Sequence, residues 1–181
     1  MDAITALTTR RSIRKFTDAP VKPQDLKTIL NCGRLAPTGV NRQPWRFIVV
    51  TEPAMKDKVA EATDYGKFIN KAPVIIAVAL DDAQAACPNE DAAAATDNML
   101  NAAHALGYGG CWIGANGFAP LREDPDDPHN VPYNTSMRVG KVLGLPKGWR
   151  IMSVFCIGVP AEEPVQRPKK SLEEIVSYNH F

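Results

Sequence analysis

The strongest structural signal in this chain is the apolar stretch Ala72-Pro73-Val74-Ile75-Ile76-Ala77-Val78-Ala79-Leu80. Apolar side chains on both faces of residues 74–80 predict a central strand in a sheet that is covered on both sides. The run is about half of the roughly 20 residues that a membrane-spanning helix needs, so no membrane span is expected. Residues 46–51 before it and residues 151–159 after it are also rich in β-branched side chains and predict further strands.

Helical signals lie between and outside these strands. Asp2 is placed to cap a first helix whose Ile4 and Leu7 face inward, and Pro23 stands in the first turn of a second helix. Asn89 is placed to cap a longer, alanine-rich helix. These elements predict one α+β or α/β domain in which helices cover a sheet of about four or five strands.

Length and charge exclude several classes of protein. The 181 residues and the mass of 19.7 kDa predict a single domain over residues 1–181. With 21 basic against 20 acidic side chains, the net charge of +1 argues against a dedicated nucleic-acid-binding protein. The first residues lack the basic and apolar regions of a signal peptide, and we therefore expect a cytoplasmic location.

The cysteines indicate neither disulfides nor a metal site. Cys32, Cys87, Cys111 and Cys156 are widely scattered, with no C-x-x-C pair and no histidine at the spacing of a metal ligand. We therefore expect four buried thiols and no bound metal.

Basic side chains are gathered near both ends of the chain. They form two clusters, which are Arg10, Arg11, Ser12 and Arg14 at the start and Arg167 and Lys169 at the end. Forked arginine donors and a serine hydroxyl suit a phosphate dianion better than a neutral ligand. Two solvated basic loops explain the same charges, and charge alone leaves both interpretations open. Neither a glycine-rich dinucleotide fingerprint nor a P-loop occurs.

Two further motifs add to these clusters. Residues 36–45 read A-P-T-G-V-N-R-Q-P-W and join a predicted helix to a predicted strand. Residues 107–114 carry four glycines, which allow the backbone to approach either a packed helix or a ligand closely.

Taken together, these motifs resemble the nitroreductase family of flavoenzymes. The matching pieces are R-R-S-x-R-x-F at residues 10–16, A-P-[ST]-x-x-N-x-Q-P-W at 36–45, the glycine-rich turn into residues 112–114, and G-V-P-A-E-E-P at 158–164 before a basic stretch. Their order and spacing match from about residue 3 to residue 179. The resemblance implies an α+β fold with a central, mainly antiparallel sheet covered by helices. It also implies an intertwined homodimer that binds FMN at its interface.

The resemblance assigns FMN contacts to residues of this sequence. The phosphate is implied to contact Arg10, Arg11, Ser12, Arg167 and Lys169. Arg14 is implied to lie near the N1 and O2 edge of the flavin, where a guanidinium stabilises the negative charge of the reduced ring. The flavin of the other subunit is implied to contact Pro37, Thr38, Gly39 and Asn41. The backbone near the ring is implied to come from Ile113 and Gly114.

Some positions keep more than one interpretation. Trp45 and Trp112 suit burial in the sheet core at least as well as stacking on a flavin. Gly114 and Ala115 stand where many members of the family carry a glutamate, so the group that contacts the flavin edge is not assigned. The chain is short for this family, so we expect the insertion that often roofs the active site to be reduced to the loop at residues 118–132, which leaves the size of the substrate open.

The implied activity is that of an FMN-dependent NAD(P)H oxidoreductase. Hydride passes from NADH or NADPH to the flavin, and then to a small acceptor such as a nitroaromatic or a quinone in a ping-pong mechanism. No catalytic side chain, nucleic acid or membrane is required. Two alternatives are another flavin enzyme on the same scaffold, such as a reductive dehalogenase or a dehydrogenase, and a non-catalytic flavin-binding module.

Overall fold

A four-stranded antiparallel sheet forms the centre of the part of the protein that the computed structural model describes, residues 1–115 and 135–181. The loop predicted at residues 118–132 lies outside the described residues. The strands lie in the order β1-β2-β4-β3, where β1 is Trp45–Val50, β2 is Val74–Asp81, β3 is Gly109–Gly114 and β4 is Trp149–Gly158. The predicted central strand is thus confirmed, because β2 pairs with β1 on one side and with β4 on the other.

Six helices surround this sheet within the described residues. They are α1 (Ala3–Thr9), α2 (Pro23–Arg34), α3 (Pro53–Glu61), α4 (Pro88–Ala105), α5 (Thr135–Val142) and α6 (Leu172–Ile175). No helix in these ranges combines the length and the apolar character that crossing a bilayer demands.

The side chains of β2 enter two different cores, one on each face of the sheet. Ile76 and Val78 belong to the core that α2 and α4 cover, and Ile75 and Ala77 belong to the core that α3 and α5 cover. Successive side chains of a strand point to opposite faces, so a strand that is covered on both faces must be apolar throughout.

Helix α4 starts differently from the sequence prediction. Cys87, and not Asn89, is the N-cap residue, and Pro88 occupies the first helical position. Proline is favoured there because it has no N–H to leave unpaired and its φ already suits a helix. The helix ends as predicted just before Gly107, whose φ of +90° is a conformation that favours glycine.

The orientation predicted for α1 was wrong, although its cap is confirmed. Asp2 caps the helix by accepting a hydrogen bond from the Thr5 amide at 3.0 Å. Ile4 and Leu7 are 70% and 58% exposed, and Ala6 is the buried residue of this helix. Helix α1 packs mainly on α4, and its larger apolar side chains Ile4 and Leu7 face away from the core of this chain.

The cysteine prediction is half right. All four thiols are free, but only Cys111 and Cys156 are buried, as directly opposed residues of β3 and β4. Cys32 is half-buried on α2, and Cys87 is exposed at the start of α4. An N-cap residue lies at the rim of a helix, which exposes its side chain despite the apolar character of cysteine.

Three of the four glycines in residues 107–114 lie in strand β3, which begins at Gly109, whereas Gly107 lies in the turn that precedes it. A Cβ atom on Gly109 would lie 2.7 Å from Cγ1 of Ile13, which is closer than two carbon atoms can approach. The absence of a side chain therefore lets residues 10–17 pack against this end of the sheet.

Candidate functional site

Residues 10–17 connect the start of the chain to the end of the sheet by backbone hydrogen bonds. The Ile13 amide donates to the Gly110 carbonyl at 3.0 Å, and the Thr17 amide donates to the Val159 carbonyl at 2.9 Å. The Ala161 amide then donates to the Lys15 carbonyl at 2.9 Å. This pairing fixes the point at which residues 161–181, the C-terminal arm, leave the sheet.

The two predicted basic clusters meet in one cavity of about 460 Å³ beside this pairing. The residues that line it are Arg11, Ser12, Arg14, Lys15, Glu162, Glu163, Val165, Arg167 and Lys169. Five basic side chains against two carboxylates leave a formal excess of three positive charges in the cavity. Side chains more than 150 positions apart in the sequence thus form a single positively charged surface, and arginine and lysine donors of this kind suit an anion.

Hydrogen bonds from both ends of the chain hold Arg11 in this cavity. Its Nε donates to Oε1 of Gln166 at 3.1 Å, and its Nη1 donates to the Thr8 carbonyl at 3.0 Å. A guanidinium that is fixed in this way loses little further freedom when it binds an anion.

A carboxylate closes the wall of the same cavity. Oε1 of Glu162 accepts hydrogen bonds from the Arg14 amide at 2.6 Å and from the Lys15 amide at 3.0 Å. The bond from the Arg14 amide is the largest cause that lowers the pKa of Glu162 below its ordinary value. Glu162 was part of a matching sequence motif, but the sequence assigned it no function.

Arg10 lies outside the lining of the cavity. It is half-buried at the end of α1, where its carbonyl accepts from Nη1 of Arg11 at 2.8 Å. Burial lowers the pKa of His104, and the positive charges of Arg10 and Arg11 lower it further. The direct phosphate contact assigned to Arg10 stays a prediction.

The loop at residues 36–43 is a second region of the candidate site. It contains four of the residues that are predicted to contact the flavin, namely Pro37, Thr38, Gly39 and Asn41. None of these four residues lines the basic cavity. The Gly39 amide donates to Oδ1 of Asp91 at 2.8 Å, and the Gln43 amide donates to Oγ1 of Thr38 at 3.2 Å. The first bond holds the loop against the first turn of α4, and the second bond lies within the loop itself.

Asp91 helps to hold the 36–43 loop in place, a role that the sequence did not indicate. It is 2% exposed, and its Oδ2 has no hydrogen-bond partner among the described residues. A buried carboxylate is unfavourable unless it is bonded, so the Gly39 bond and the start of a long helix both help to retain it.

The backbone of this loop is strained at three positions. Val40, Asn41 and Gln43 have φ values of 48°, 56° and 50°. A β-branched residue such as valine rarely adopts this left-handed conformation, and such outliers cluster at functional sites.

The residues predicted beside the ring lie at the end of β3. Ile113 is only 6% exposed and packs in the core, whereas a Cβ atom on Gly114 would meet nothing within 4 Å. Trp112 is 39% exposed and lines a cavity of about 350 Å³ together with Gly114. Trp45 instead stacks on Phe47 at 5.8 Å between ring centroids and packs against the main core.

The first basic cluster, the 36–43 loop and strand β3 follow one another along the chain in the same order as in a known family. The chain matches the family described as the Nitroreductase family over residues 7–64 and 63–159. The protein belongs to the nitroreductase family. Its predicted nitroreductase-like α+β fold is therefore confirmed.

Nitroreductase relatives extend over nearly the whole chain. The protein is 31% identical over 202 aligned positions to an "NADH dehydrogenase" of Thermus thermophilus, covering 97% of this chain and 95% of the relative. It is 27% identical to the "FMN reductase [NAD(P)H]" of Bacillus subtilis, covering 96% of this chain and 72% of that one. The solved "FMN-dependent Nitroreductase" of Clostridium difficile superposes with a TM-score of 0.80 at 28% identity, covering 98% of this chain and 99% of that one.

Proposed function

We propose that this nitroreductase-family protein is an FMN-dependent NAD(P)H oxidoreductase that reduces small acceptors such as nitroaromatics and quinones. The observation that carries the proposal is the basic cavity, which both ends of the chain build together. Relatives named as an FMN reductase and as an FMN-dependent nitroreductase support the choice of cofactor.

The donor set of the cavity fits the phosphate of FMN. Three guanidinium or ammonium groups of the predicted set, Arg11, Arg167 and Lys169, line it together with the hydroxyl of Ser12. A phosphate dianion neutralises most of the formal excess of three positive charges, while a neutral ligand leaves it uncompensated. Direct contact of Arg10 with the same phosphate is part of the proposal.

When bound, FMN would supply the redox chemistry, which is hydride transfer from NADH or NADPH to a small acceptor in a ping-pong sequence. The protein's own contribution is to bind and to stabilise charge. Arg14 lines the cavity and holds a permanent positive charge next to the phosphate site. At the pyrimidine edge of the cofactor, that charge stabilises the anion that reduction creates. Ile113 and Gly114 offer backbone close to the ring, with open space at Gly114.

We further propose that the working unit is an intertwined homodimer with FMN at the interface. The 36–43 loop lies away from the basic cavity of its own chain, which suits contact of Pro37, Thr38, Gly39 and Asn41 with the flavin of the other subunit. The C-terminal arm is exposed along nearly its whole length and carries Leu172, Ile175 and Tyr178 at its surface. Exposed apolar side chains on this scale are typical of a protein interface.

The visible spectrum of the purified protein tests the proposed function. We expect the absorption of oxidised flavin, its loss on anaerobic addition of NADH or NADPH, and its return on addition of a nitroaromatic or a quinone. Adding the two nicotinamides separately also determines which one is the donor. A protein that neither carries nor takes up FMN, or whose flavin neither nicotinamide bleaches, contradicts the proposal.

A further inference from the structure

An acidic residue such as Glu162 is unexpected in a cavity that binds an anion. Its carboxylate lies in the wall of the basic cavity, where its negative charge opposes a phosphate. A side chain that served only to bind the cofactor would not be acidic here. The reason for a carboxylate at this position must therefore lie in the protein groups that it bonds.

Those groups are backbone amides of the first basic cluster. The side chain of Glu162 accepts from the amides of Arg14 at 2.6 Å and Lys15 at 3.0 Å, so both donors are backbone groups. Charge-assisted hydrogen bonds to backbone N–H groups are about twice as strong as neutral ones. The carboxylate thus fixes the backbone from which the Arg14 side chain projects.

The position of Glu162 in the chain makes this bond a link between the two clusters. The neighbouring residue Ala161 donates its amide to the Lys15 carbonyl at 2.9 Å, and Pro160 pairs with Phe16. Beyond Glu162, the arm continues to Arg167 and Lys169 with no further backbone bond to residues 10–17 among those described. Within the described residues, Glu162 is therefore the last residue of the arm that bonds the backbone of residues 10–17, and farther along the arm Gln166 bonds only the side chain of Arg11.

We propose that Glu162 is a positioning residue that holds the Arg14 backbone against the C-terminal arm, so that both basic clusters face one phosphate-bearing cofactor. The inference rests on the proposed function for the identity of that cofactor. The role of the carboxylate in holding the backbone does not depend on it.

Glu163 provides a matched control. It is the next residue, it carries the same charge and it lines the same cavity, but the Arg14 and Lys15 amides donate their hydrogen bonds to Glu162. Removing either charge makes the cavity more positive. Removing Glu162 also releases the backbone, so the two variants separate charge from positioning.

The test is titration of the apo-protein with FMN in variants of the two glutamates. We expect Glu162→Ala to raise the dissociation constant for FMN about tenfold or more, because two charge-assisted bonds are lost. Glu163→Ala should lower it, since only a repulsive charge is removed. Glu162→Gln should recover most of the loss, because the amide oxygen accepts the same bonds. Equal shifts in Glu162→Ala and Glu163→Ala, or no recovery in Glu162→Gln, would overturn the positioning role.

Two further measurements, the reduction potential of bound FMN and amide hydrogen exchange, distinguish a loss of positioning from general damage to the fold. The reduction potential of bound FMN should become more negative in Glu162→Ala, where Arg14 is displaced, and should not do so in Glu163→Ala. Amide hydrogen exchange at Arg14 and Lys15 should be faster in Glu162→Ala and unchanged in Glu163→Ala, with or without FMN. Unchanged exchange in Glu162→Ala would overturn the inference, whereas a wild-type protein that binds no FMN would contradict only the proposed function.

Discussion

The basic cavity and the 36–43 loop differ in how completely one chain builds them. The cavity unites side chains from both ends of the sequence, and backbone hydrogen bonds fix its walls within the same chain. The loop is anchored at Gly39 by Asp91, has a left-handed backbone at Val40 and Asn41, and shares no lining residue with the cavity. One half of the proposed site is thus complete in a single chain, and the other half faces outward, as a site shared between two subunits requires.

The largest effect is expected from removing the cavity's cations. In Arg11→Ala/Arg167→Ala, one guanidinium from each end of the chain is lost from the lining. We expect the dissociation constant for FMN to rise about 100-fold or more, because each charged hydrogen bond contributes about 1.5–3 kcal/mol. Fluorescence titration of the apo-protein with FMN measures this change.

The control for the double variant is Lys27→Ala/Lys58→Ala, which removes the same charge from exposed positions on α2 and α3. If both double variants weaken FMN binding alike, general charge and not the cavity holds the phosphate. Thermal unfolding of both variants checks that the fold is retained.

A smaller effect is expected from releasing the loop. Asp91→Ala removes the acceptor of the Gly39 amide and should lower the free energy of unfolding by about 1–3 kcal/mol. Asp97→Ala on the same helix is the control, because Asp97 is half-buried and bonds Asn101 one turn away. Urea unfolding compares the two. An equal loss in both variants would show that Asp91 acts through the helix and not through the loop.

The smallest effect on FMN binding is expected from Arg10→Ala, which tests whether Arg10 contacts the phosphate. Because Arg10 is half-buried outside the cavity lining and would reach the phosphate from beside it, Arg10→Ala should raise the dissociation constant for FMN by about fivefold, less than the loss of a lining cation. The same titration with Arg11→Ala alone gives the effect of losing one lining cation. An unchanged dissociation constant in Arg10→Ala would contradict the proposed contact of Arg10 with the phosphate.

The sequence predicted those features that depend on local pattern. The apolar run of β2 identified the central strand, and Asp2 caps α1 as its position in the sequence predicted. The meeting of the two basic clusters followed from the family resemblance and from the match between arginine and phosphate chemistry. Each of these signals depends on the types and the spacing of side chains that are close together in the sequence.

Features that depend on distant backbone groups were not predictable in this way. Glu162 and Asp91 bond amides 148 and 52 positions away, and an acidic side chain gives no sign of which amide it will meet. The inward orientation expected for Ile4 and Leu7 was wrong for a related reason. Helical periodicity shows which side chains share a face, but it does not show whether the core of the same chain covers that face.

Complementation between two defective chains tests the shared site most directly. One chain carries Arg11→Ala/Arg167→Ala and keeps its loop, while the other carries Thr38→Ala/Asn41→Ala and keeps its cavity. If each FMN contacts the cavity of one subunit and the loop of the other, a hybrid dimer contains one intact site. We predict that co-expression yields hybrid protein with up to one FMN per dimer, although each parent retains little. Hybrid dimers that hold no more FMN than the parents would contradict a site shared between subunits.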